Sequence, residues 1–182
     1  MDFAEKRGFS YVVLQGHSLG CSKAVYYLSE TKDERVRRLV LASSSDMVGW
    51  IERGPHHDEI ISLAKEWVSH GKGKEILPKL LDDCFYLSAE TYLDFGVKGN
   101  PIDVINTHDP EASSVLADIK VSTLAFFCSK DYADILPLDE ALEVIKQKAK
   151  NCPQFDAAIV DGASHGYFAR EKEVADLIMN WL

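Results

Sequence analysis

Four short apolar runs divide the chain, over residues 11–15, 38–42, 123–128 and 156–160. Each is nearly continuous in Val, Leu, Ile, Ala and Phe rather than alternating, the pattern of parallel strands covered on both faces. Between them the apolar positions return at helical spacing. A helix is predicted directly after the first run, over residues 19–30. Leu138, Ala141, Leu142, Ile145 and Ala149 share one face of a second helix over 138–150, and Val174, Leu177, Ile178 and Trp181 share one face of a third over 170–182. Strands alternating with helices imply βαβ crossovers, so the expected class is α/β: a mostly parallel sheet of about four strands flanked by helices.

Residues from about 46 to 117 break this rhythm. The stretch is too long for one crossover helix and carries no clear strand. Short helices are predicted over 57–70, 74–85 and 89–95, punctuated by Gly71, Gly73, Pro78, Gly99, Pro101 and Pro110. A helical insertion between two strands of such a sheet is well placed to be a lid over a site, with a plain packing layer as the alternative. Trp50, Trp67, Phe85, Tyr86 and Tyr92 would supply its apolar surface. One domain covering residues 1–182, with this insertion inside it, is the expected organisation.

Composition changes the picture mainly by exclusion. Of 182 residues, 46% are hydrophobic and 27% charged, which is ordinary for a globular domain and unlike a disordered one. The net charge of −9 repels phosphate backbones and anionic lipid surfaces, so neither a nucleic acid nor a membrane is an expected partner. No apolar run approaches the ~20 residues of a membrane helix, and residues 1–7 lack the apolar stretch of a signal peptide. A cytoplasmic location follows as an expectation. Cys21, Cys84, Cys128 and Cys152 are widely spaced, without CxxC or Cys/His ligand spacing, and read as reduced thiols. His56 and His57 would point about 100° apart on a helix, and His70 and His108 are isolated, so no metal site and no cofactor are expected.

The chemistry concentrates at Gly16-His17-Ser18-Leu19-Gly20, which lies between the first predicted strand and the first predicted helix. A turn this tight forces Ser18 into a strained backbone and lifts its hydroxyl from the sheet. Gly16 and Gly20 are expected where a Cβ would strike neighbouring backbone. The helix N-terminus is aimed at the site, and the Leu19 N–H is placed to donate to an oxyanion. His17 should pack beside Ser18. A serine nucleophile needs a base, and the base an orienting acid, which on such an elbow follow in the order Ser, Asp or Glu, His. Beyond the third strand lies Asp131. Beyond the fourth lies His165, between Gly162 and Gly166, and both stand where open parallel sheets carry their sites. Asp134, three residues on in the same loop and just before Ile135-Leu136-Pro137, is the alternative acid.

These residues resemble the α/β-hydrolase superfamily. The resemblance runs from Val12-Val13-Leu14-Gln15-Gly16-His17-Ser18-Leu19-Gly20 through Leu39-Val40-Leu41 and the helical insertion to Asp131 and Ala163-Ser164-His165-Gly166. It looks closest to an esterase-like group with a QGHSLG elbow and a small helical lid. The resemblance implies hydrolysis of an ester, thioester or amide in a small-molecule substrate, through an acyl-serine on Ser18. Cys128 departs from it, because the family usually carries Gly three residues before the acid. A larger departure is that the family usually sets several strands before the elbow strand. The chain therefore looks like the C-terminal half of the fold, without the loop that normally supplies the second oxyanion donor. Losing one such donor costs roughly 2.7–4 kcal/mol of transition-state stabilisation.

Two kinds of function remain open on these grounds. One is a serine acyl hydrolase, with acyl transfer or a lyase reaction possible on the same residues. The other is a weakly active or non-catalytic hydrolase-like binding or assembly unit. Without strands beyond it, the elbow strand should form an unprotected sheet edge beside apolar surface, so a homodimer covering that side is expected.

Overall fold

A computed structural model of the chain describes residues 2–78 and 86–182. Its centre is a four-stranded sheet of β1 (Val12–His17), β2 (Val36–Ala42), β3 (Ser122–Lys130) and β4 (Phe155–Ser164), in the spatial order β1-β2-β3-β4. Every pairing is parallel. The chain begins with a short helix α1 (Asp2–Lys6); α2 (Leu19–Thr31) links β1 to β2, α6 (Leu138–Lys148) links β3 to β4, and α7 (Glu171–Trp181) ends the chain.

The apolar runs form strands for the reason their pattern suggests, but only in the middle of the sheet. In β3, Ala125 and Phe127 face a core shared with Cys21, Val25 and Leu28 of α2 and Ala141, Leu142 and Ile145 of α6. The alternate residues Leu124, Phe126 and Cys128 face Val174, Leu177, Ile178 and Trp181 of α7. Phe126 and Phe127 are both fully buried, each contributing about 1.5–3 kcal/mol through its burial. β1 and β4 depart from the expectation of strands covered on both faces. They are the outer strands, pairing only with β2 and β3 respectively, and most of their residues are partly or fully exposed. β1 is the sheet edge expected for the elbow strand, whereas β4 reads like an inner strand because an edge is set by the neighbouring strand and not by the strand's own residues.

The insertion holds α3 (Met47–Glu52), α4 (His57–Ser69) and α5 (Ala89–Gly96), then a 3-10 turn over Val115–Asp118. These helices build a small core of their own around Ile51, Ile60, Ala64, Leu77, Ala89 and Tyr92. Two of the short helices expected here, over 57–70 and 89–95, correspond to α4 and α5. The helix expected over 74–85 is not seen in its described part: Lys74 and Glu75 lie in a turn, and Ile76 forms an isolated antiparallel bridge with Ser88. The remainder of that expected helix, with Cys84 and Phe85, lies outside the described residues. The chain re-enters the main core at Val104, Ile105 and Leu116. No described helix is long and apolar enough to cross a membrane.

Candidate functional site

The site assembles at the C-terminal ends of the strands. Ser18 follows β1 directly, with φ 56° and ψ −129°, a conformation L-residues adopt only under constraint. The constraint is visible around it. Ser18 N–H donates to the Ala42 carbonyl at 2.9 Å, and the Ser18 carbonyl accepts from Cys21 N–H at 2.9 Å as α2 begins. A Cβ on Gly16 would stand 2.5 Å from the Gly20 carbonyl oxygen and 2.6 Å from Cys21 Cα, so only glycine lets β1 and α2 cross this closely. Gly20 does not share this role. A Cβ there meets nothing within 4 Å, because the residue already lies in the first turn of α2, turned away from β1.

His165, at the end of β4, reaches Asp131, which follows β3. His165 Nδ1–H donates to Asp131 Oδ1 at 2.9 Å, and the Asp131 side chain is completely buried. Asp131 Oδ1 also accepts from the backbone N–H groups of Tyr132 and Ala133, at 2.9 and 3.0 Å. Oδ2 accepts from the Ser43 hydroxyl and from the Cys128 thiol, the latter at 3.0 Å. Burial alone would push this carboxyl upward. The bonds from His165, Ser43, Cys128 and Ala133 outweigh it and hold Asp131 well below the usual carboxylate range. Cys128 therefore fits where glycine was expected: it adds a donor to the acid. Burial, with Asp131 beside it, pushes the Cys128 thiol up to about 12.

Asp134 goes elsewhere. Its carboxyl accepts from Thr107 Oγ1 (2.9 Å) and Leu136 N–H (3.0 Å), away from His165, and burial pushes it up to about 6. The structure thus brings His165 to Asp131 and leaves Asp134 at the root of the insertion.

The His165 ring is held on two sides. The His17 ring centroid lies 4.9 Å away and that of Tyr132 4.8 Å away. His17 Nε2–H donates to the His165 carbonyl at 2.8 Å, tying the elbow to the loop that carries the imidazole. The sequence placed His17 beside the serine; its polar contact is with His165.

Ser18 and His165 border one mostly apolar cavity of about 300 Å³, walled by Leu19, Met47, Trp50, Leu87, Phe95 and Tyr132, with Ser45 and Ala133 completing its lining. Of the expected aromatics of the insertion that are among the described residues, only Trp50 reaches it. Tyr92 and Trp67 belong to the insertion's own core, and Tyr86 is exposed. Within this cavity the Ser18 hydroxyl is bonded to Ser45 Oγ at 3.1 Å rather than to the imidazole. Ser43 and Ser45 escaped the sequence reading. Their signal was the position of Ser43-Ser44-Ser45 immediately beyond β2, the same strand-end rule that located Asp131 and His165.

The family described as "Protein of unknown function (DUF1749)" matches residues 2–181, nearly the whole chain. The chain belongs to the DUF1749 family. No curated protein matches this DUF1749 sequence. Solved structures do resemble it. A monoacylglycerol lipase from Paleococcus ferrophilus matches with a TM-score of 0.57 and 19% identity, over 99% of this chain and 70% of that one. Est1E from Butyrivibrio proteoclasticus matches with a TM-score of 0.56 and 14% identity, over 99% and 64%. An alpha/beta-hydrolase enzyme from the sediment metagenome of the Mar Chica lagoon, Morocco, matches with a TM-score of 0.51 and 19% identity, over 99% and 64%. The DUF1749 chain therefore has an α/β-hydrolase fold, and it spans 70% of the length of the lipase and only 64% of the other two structures.

Proposed function

We propose that this chain is a serine hydrolase that cleaves an ester, thioester or amide through an acyl-serine. The observation that carries the reading is the sharing of one cavity by Ser18 and His165, with the second imidazole nitrogen's proton committed to the buried carboxylate of Asp131. With Nδ1 protonated, Nε2 is free to act as base. The Ser18 hydroxyl passes from Ser45 to His165, loses its proton to Nε2 and attacks the acyl carbonyl carbon. Asp131 stabilises the imidazolium, and the Leu19 N–H at the start of α2 donates to the oxyanion. His165 then gives the proton to the leaving group as the C–O, C–S or C–N bond breaks. Water attacks the acyl-serine by the same route in reverse, releasing the acid and restoring Ser18.

The cavity favours a compact apolar acyl group: its volume stands at the lower end of the range for ligand sites, and Met47, Trp50, Leu87 and Phe95 offer no charge to bind. Because those four residues belong to the insertion, we read it as a lid over the site. A second copy of the chain is proposed to cover the β1 edge; light scattering at micromolar concentration should read a dimer, and a stable monomer would contradict it.

The Ser18–Ser45 bond favours one competing reading, a cavity that binds acyl compounds without turning them over. Hydrolysis of short-chain nitrophenyl esters separates the two. The hydrolase reading expects turnover that is lost in Ser18→Ala and falls with acyl chains too long for the cavity. Binding without any Ser18-dependent turnover would favour the competitor.

A further inference from the structure

The described residues hold a second Asp–His pair, which the proposed reaction does not use. His108 Nδ1–H points at the Asp46 carboxylate, 2.9 and 3.0 Å from its two oxygens. Asp46 also accepts from Gly49 N–H and His108 N–H, at 2.9 and 2.6 Å, and the Thr107 hydroxyl lies between it and Asp134, 2.8 Å from Asp46 Oδ2. With the proton on Nδ1, His108 presents a lone pair on Nε2. That nitrogen is buried and has no hydrogen-bond partner, in a side chain only 4% exposed.

Two further buried acceptors nearby in the chain are also without partners: Asp103 Oδ1 and Asn106 Oδ1. Their other atoms are engaged. Asp103 Oδ2 accepts from Gly99 N–H at 3.0 Å, and Asn106 Nδ2 donates to the Ser113 carbonyl at 3.1 Å. The two lysines of the neighbourhood are committed as well. Lys148 donates to the Asp109 and Ala112 carbonyls at 2.9 and 2.7 Å, and Lys98 pairs with Glu52 at 3.0 Å. Each unsatisfied buried acceptor costs about 1–3 kcal/mol, so three on one short segment make a place for an electropositive group that neither lysine fills.

One ligand atom from each of Asp46, Asp103 and His108 lies within 4.8 Å of the other two. Asp103, Asn106 and His108 border a common cleft of about 590 Å³, open to solvent and wide enough to admit a hydrated ion.

We propose that His108 Nε2, Asp103 Oδ1 and Asn106 Oδ1 bind a first-row divalent transition-metal ion, with Asp46 orienting His108. The donor set selects the class of ion. Imidazole nitrogen suits zinc and its neighbours, whereas calcium and magnesium take all-oxygen sites. A carboxylate on the remote imidazole N–H is the usual support of a metal-binding histidine. The ion's two positive charges would balance Asp46 and Asp103. Its location makes it a structural ion. Asp46 begins the insertion and caps α3, while Asp103 and His108 lie where the chain returns to the main core. The ion would clamp the two roots of the segment that walls the cavity.

The test uses the whole chain, stripped by a chelator and titrated calorimetrically with Zn²⁺ while the melting temperature is followed. One ion per chain is expected, raising the melting temperature and binding equally to Ser18→Ala. Asp103→Asn, which keeps the side-chain shape, should weaken binding at least about 10-fold, and Asp46→Asn about 10–100-fold. His56→Ala should leave it unchanged. Co²⁺ should give the visible absorption bands of a mixed nitrogen–oxygen site, lost in His108→Gln. Absence of stoichiometric binding would overturn the proposal, as would binding that survives Asp103→Asn and His108→Gln but fails in His56→Ala.

Discussion

Among the described residues two Asp–His pairs share the same 2.9 Å bond from Nδ1, and they differ in what surrounds them. His165 is fixed by Asp131 at a strand end, with 16% of its side chain exposed, on a cavity it shares with a serine. His108 is fixed by Asp46 at the root of the insertion, 4% exposed, among acceptors and no nucleophile. An imidazole oriented by a carboxylate is thus only half of a site. The third group decides whether the pair moves a proton, holds an ion or simply ties two loops together.

The sharpest break between the pairs is in their alanine variants. His165→Ala should lower ester turnover by about 10⁴-fold or more while leaving the fold intact. His108→Ala should do the reverse, costing about 1–3 kcal/mol of stability by taking one donor from the buried Asp46 carboxylate, with turnover of the folded fraction changed by less than about 10-fold. Esterase assays beside urea unfolding curves read both effects. If both variants lose activity equally without loss of stability, the two pairs are not distinct.

The acids sharpen the same contrast. Asp131→Asn should cost roughly 10³–10⁴ in turnover, because an amide cannot stabilise the imidazolium or enforce its tautomer. Asp134→Asn should cost no more than a few-fold, since Asp134 faces Thr107 and not His165. Steady-state kinetics with the opposite ranking would move the orienting role to Asp134.

A smaller effect follows from protonation. Asp131 is held below its ordinary value in the folded chain, so its contribution to stability is complete above about pH 3.9, the ordinary carboxylate value, and is lost as pH falls through the folded value. The acid limb of the stability curve should therefore be shallower in Asp131→Asn than in the parent chain. An unchanged limb would mean that His165 and Ser43 do not hold the carboxylate charged.

The smallest effect concerns the thiols beside these groups. Burial pushes both Cys21 and Cys128 up to about 12. Neither should react measurably with iodoacetamide at pH 8, where the partly exposed Cys152 should. Mass spectrometry of the digested chain reads each site, and rapid modification of Cys128 would argue against its packing on Asp131.

The elbow was legible because it is local: a strand, a glycine that alone permits the crossing with α2, a serine and a helix are consecutive in the chain. His165 was legible by its place after a strand. The choice between Asp131 and Asp134 was not, because they share a loop, and it turns on Ser43 and Cys128 from two neighbouring strands. His108 looked isolated for the same reason. Its partner lies 62 residues away, across the whole insertion. The cavity wall was half legible. Trp50 was one of five aromatics expected on the insertion and reaches the cavity, but Met47, Leu87 and Phe95 depend on how α3 and α5 lean on each other, which no periodicity encodes.

The central claim is that Ser18 is a nucleophile activated by His165, and covalent labelling with a fluorophosphonate probe tests it most directly. The account predicts a single adduct on the peptide carrying Ser18, absent in Ser18→Ala and strongly slowed in His165→Ala. Labelling that persists unchanged in Ser18→Ala, or a parent chain in which Ser18 never reacts, would contradict it.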